Sequence, residues 1–68
     1  MEKLIKELDY RLNLCTSAST LQFAKTFYDQ AFGAASLFMC LYPDRSDEVI
    51  RIWSTKYKPK FEKIVYGA

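Results

Sequence analysis

Ala31-Phe32-Gly33-Ala34-Ala35-Ser36-Leu37-Phe38-Met39-Cys40-Leu41-Tyr42 carries no charge, and Ser36 is its only polar side chain. The apolar residues leading into and through it (Leu21, Phe23, Ala24, Phe27, Tyr28, Ala31, Phe32, Ala35, Phe38, Met39, Tyr42) recur at spacings of three and four. That period predicts a helix over residues 20–42. Its apolar stripe widens toward the C-terminal end until no polar side is left, and a helix apolar on every side needs cover on every side. Gly33, Ala34, Ala35 and Ser36 cost helix propensity but let another helix backbone come close, so a close crossing is expected there.

Upstream, Thr16-Ser17-Ala18-Ser19-Thr20 breaks the pattern. Hydroxyl side chains compete for backbone hydrogen bonds and favour helix starts over interiors. Ser19 and Gln22 have the spacing of a capping box, which predicts Thr20 as the first helical residue. A single helix running through 16–19 is the competing reading. Before the break, Leu4, Ile5, Leu8, Leu12 and Cys15 share one stripe of a helix over 2–14. Glu2 precedes Lys6, and Glu7 precedes Arg11, by the four residues that favour helical ion pairs.

Downstream, Tyr42-Pro43-Asp44-Arg45-Ser46 is a second break, because proline drives its predecessor out of the α region and Asp and Ser are good caps. Asp47 and Glu48 then suit the first turn of a third helix over 47–66. Val49, Ile50, Trp53, Tyr57, Phe61, Ile64 and Val65 form its apolar set, which continues across Pro59. On a regular helix Pro59 lies about 160° from Phe61 and so on the outer face, which predicts a bend rather than a stop. Gly67 is placed to end the helix.

Two short connections make successive helices antiparallel neighbours. The expected fold is all-α, a three-helix up-down-up bundle forming a single domain over residues 1–68. Sixty-eight residues bury little surface, so extra burial is expected from a disulfide, a metal or self-association. With no histidine and only Cys15 and Cys40, no metal site or cofactor is expected. Both cysteines sit among apolar neighbours and read as reduced core residues. Self-association is left. The expectation is a homodimer that buries the region of Phe32, Ala35, Phe38, Met39 and Tyr42 across a two-fold axis, and that also engages another protein.

The charges interleaved in Met1–Leu8 exclude a signal-peptide core, and the apolar run is shorter than a membrane span, which points to a cytoplasmic protein with no membrane partner. The net charge of +2 singles out no partner by itself. Locally, residues 51–63 hold Arg51, Lys56, Lys58, Lys60 and Lys63 against Glu62, a net of +4, interleaved with Trp53, Tyr57 and Phe61. That mixture is the alternative reading, an accessory protein that meets phosphates with its cations and bases with its rings. The three rings share one stripe, however, as core residues do. Without histidine, a base near neutral pH would need a strongly shifted carboxylate, lysine or thiol. No enzyme is therefore expected. Asp29 reads as a solvated edge position, and the tyrosines at 10, 28, 42 and 66 are too many for so small a core to bury.

Overall fold

The computed structural model describes residues 1–67; Ala68, the last residue of the expected domain, lies outside them. The described chain is compact and all-helical. Helix α1 spans Glu2–Thr16 and α2 spans Leu21–Leu41. A 3-10 turn over Pro43–Arg45 leads into a third rod made of α3 (Ser46–Ile52), a π-turn (Trp53–Tyr57) and α4 (Lys58–Tyr66).

The break between α1 and α2 is real, and it excludes a helix running on through 16–19. Ser17 and Thr16 turn their hydroxyls back on Asn13 and Leu12 carbonyls, which closes α1. The cap of α2 falls one residue later than the Ser19/Gln22 spacing suggests: Thr20 is in the extended conformation and its hydroxyl accepts from the Phe23 N–H at 3.2 Å. A residue in helical conformation, as predicted for Thr20, cannot serve as the cap. Ser46 is not a cap either, since it is already helical and donates to the Pro43 carbonyl. Asp47 and Glu48 do occupy the first turn of α3, and Glu48 pairs with Arg45 at 3.0 Å. Gly67 ends α4 in the left-handed conformation, with φ 71°, and its N–H bonds the Lys63 carbonyl.

Contacts between elements show how the helices lie. Cys15, at the end of α1, donates to the Ala24 carbonyl near the start of α2, while Met1 and Phe38 line one hollow at the opposite ends. Tyr28 stacks on Phe61 of α4, and Phe32 meets Trp53 edge-on. The core consists of Leu4, Leu8 and Cys15 from α1, Ala24, Ala31 and Ala35 from α2, and Val49, Trp53, Tyr57, Phe61 and Val65 from the third rod.

Two features carry this packing. Ala24, Ala31 and Ala35 are the buried residues of α2, so its neighbours approach a stripe of methyl groups and the large side chains of α2 are displaced to its flanks. Gly33 is not the crossing point within the chain: a Cβ added there would meet nothing within 4 Å. The third rod also keeps its apolar residues in phase by an unexpected means. On an unbroken α-helix, Trp53 would stand about 80° and Val49 about 120° away from Phe61. The π-turn rotates less per residue and brings all three inward, where each is buried. Pro59 follows the π-turn on the exposed side, and the helix continues past it. The proline thus does not stop the helix, as expected, and a widened turn stands just before it.

A polar bond also joins the third rod to α1. The Tyr57 ring is fully buried, and its hydroxyl donates to Asp9 Oδ1 at 2.7 Å, tying the third rod to α1. Burial, followed by that bond and the Asp9 charge, pushes the Tyr57 hydroxyl well above the ordinary tyrosine range.

Candidate functional site

Alanines occupy the inner face of α2; Phe27, Tyr28, Phe38 and Met39 pack beside them on its flanks, and other bulky residues point outward. Phe32 is 55% exposed, Leu37 59% and Leu41 61%. Gly33 and Cys40 are exposed on the same side. Taking Ala31 as the inward direction, Phe32, Ser36, Cys40, Gly33, Leu37 and Leu41 fall in that order across about half of the helix circumference. No charge interrupts this outer face.

Beside it, α2 and the third rod leave a groove of about 220 Å³. Ala35, Val49 and Trp53 line it from within; Phe32, Met39 and the half-exposed Ile50 stand along it, and Lys58 is at its rim. Of the five expected interface residues, Phe32, Ala35 and Met39 meet at this groove. Ala35 is 3% exposed, so it contributes through its shape rather than as a contact surface. Phe38 and Tyr42 go elsewhere. Their rings tilt against each other at 5.0 Å and line a hollow of about 300 Å³ with Met1, Glu2, Lys3 and Arg45. The five therefore form two neighbouring hollows rather than one patch.

Leu37 and Leu41 were not singled out in the sequence; Gly33 was expected at a close helix crossing and Ile50 in the apolar set of the third helix, and both are exposed. Ala24, Ala31 and Ala35 mark the closely packed side of α2, and everything opposite them in the uncharged run must face away. Ile50 leaves the inner stripe on which the spacing placed it, because its outward position depends on the phase set by the π-turn.

Arg51, Lys56, Lys58, Lys60 and Lys63 are all exposed. Trp53, Tyr57 and Phe61 are 7%, 0% and 0% exposed, so the rings between the cations are closed to bases. The two cysteines also separate. Cys15 is buried, with its thiol pushed up by burial, whereas Cys40 is exposed and unpaired, contrary to the expectation of a core residue. Cys40 falls on the side of α2 away from the alanine stripe, which is why its apolar neighbours in sequence do not enclose it. Asp29 is exposed, as a solvated edge position should be. Tyr10, Tyr42 and Tyr66 are exposed, and Tyr28 is half-buried in stacking contacts with Trp53 and Phe61.

Among the described residues there is no cluster of three metal-ligating side chains, and no helix is long and apolar enough to cross a membrane. No family model, curated protein or solved structure matches this chain.

Proposed function

We propose that this chain is a non-enzymatic interaction module, a three-helix up-down-up unit that pairs with a second copy through the outer face of α2 and presents the resulting dimer to another protein. The observation that carries the reading is the uncharged run from Ala31 to Tyr42, in which Phe32, Leu37 and Leu41 point outward although the chain is small. With Ile50 on the adjoining rod they are each 49–61% exposed. Together they offer on the order of 400 Å² of apolar surface per chain, taking roughly 200 Å² for a large side chain. That lies within the range of the largest patch on an ordinary monomer, which is often functional. Two such faces bury on the order of 800 Å², the scale of a weak, concentration-dependent pair. Eleven core residues, three of them alanine, leave the isolated unit with a small hydrophobic contribution, so further burial is worth most here.

Residence in a reducing compartment such as the cytoplasm belongs to this reading and is supported by the exposed, unpaired Cys40. Light scattering across a concentration series tests it. Twice the chain mass is expected, falling to the chain mass in Leu37→Asp while the helical circular dichroism is retained. A folded protein that stays at the chain mass into the high micromolar range refutes the pairing.

A further inference from the structure

On the basis of that self-pairing, we infer its geometry: two copies of α2 pack antiparallel about a two-fold axis at Leu37, so that Gly33 of each faces Leu41 of the other.

Two arguments lead to this register. Gly33, Leu37 and Leu41 follow one another at intervals of four and form a single exposed ridge, empty at one end and 61% exposed at the other. A parallel pair would set notch against notch and leucine against leucine, holding the helices apart at one end. The antiparallel pair sets each Leu41 into the space over Gly33. Second, antiparallel helices place opposite dipole ends together.

Native and engineered thiols read the register directly. In the antiparallel pair the two Cys40 residues are offset by about 9 Å along the axis, from a rise of 1.5 Å per residue. Adding a helix separation of roughly 8–10 Å puts their Cα atoms well beyond the 7 Å limit for a disulfide. Two residues 37 face each other on the axis within that limit. The experiment oxidises two proteins with copper phenanthroline, the wild type and Leu37→Cys/Cys40→Ser, at a concentration where light scattering has reported their mass. Leu37 is exposed, so its replacement leaves the core intact.

The expected result is a covalent dimer from the double variant and little from the wild type. Efficient crosslinking of wild-type Cys40 overturns the inference in favour of parallel packing. A dimeric mass with no crosslink in either protein overturns it in favour of another face, while the self-pairing reading survives. A monomeric wild-type mass removes both.

Discussion

Replacing Tyr57 by phenylalanine isolates the polar tie between the third rod and α1. The ring stays, since Tyr57 is fully buried and phenylalanine fills nearly the same space. The lost interactions are the 2.7 Å bond from the hydroxyl to Asp9 Oδ1, which joins residues 48 positions apart, and its longer 3.5 Å approach to the Ile5 carbonyl. Bonds to charged groups contribute about 1.5–3 kcal/mol. Asp9 is exposed and recovers water when the hydroxyl is gone, so the low end applies, about 1–2 kcal/mol. At about 4–8 °C per kcal/mol for a domain of this size, melting should fall by roughly 5–15 °C. Alkaline pH supplies a second signature. The Tyr57 hydroxyl is raised in the folded state, so its stabilising contribution is complete below the unfolded tyrosine value of about 10 and is lost as pH climbs above it, because only the unfolded chain ionises there. Wild-type stability should therefore drop faster than that of Tyr57→Phe above about pH 10, and the gap between them should narrow. Chemical denaturation of both proteins from pH 7 to 11 measures this. A variant as stable as the wild type at pH 7, with a parallel alkaline limb, would refute the reasoning.

Ala31→Leu should cost about 1–3 kcal/mol or more in denaturant titrations, because Ala31 is fully buried on the stripe where neighbouring helices touch α2. A neutral effect would show that the alanine stripe is not a close-packed surface. Gly33→Ala should separate folding from pairing: nothing lies within 4 Å of the added methyl, so helix propensity stabilises the monomer by about 0.5–1 kcal/mol, while the filled notch weakens the dimer. Thermal melts and light scattering on one sample read the two effects, and tighter pairing would contradict the notch. With a thiol reagent, Cys40 should react well before Cys15, whose Sγ is buried and donates to the Ala24 carbonyl at 3.4 Å. Equal rates in the native protein would mean that α1 and α2 open readily at that end.

Helix type, number and approximate ends follow from the residues alone, because period and punctuation are local properties. Leu4 to Cys15, Ala24 to Ala35 and Val49 to Val65 each repeat at a helical spacing, and the Thr16–Thr20 and Tyr42–Ser46 stretches interrupt it. The buried positions of Trp53, Tyr57 and Phe61 were legible for the same reason. Which side of α2 turns inward was not, since a helix apolar all round has no phase to read; only packing against α1 and the third rod selects the alanine stripe and drives Phe32, Leu37 and Leu41 outward. The tertiary structure likewise settled Cys40 on the surface, joined Tyr57 to Asp9, and shifted the third rod by a π-turn that no spacing rule anticipates. Each of these depends on which helix faces which. The sequence encodes that choice in the summed burial of many side chains, and no single motif carries it.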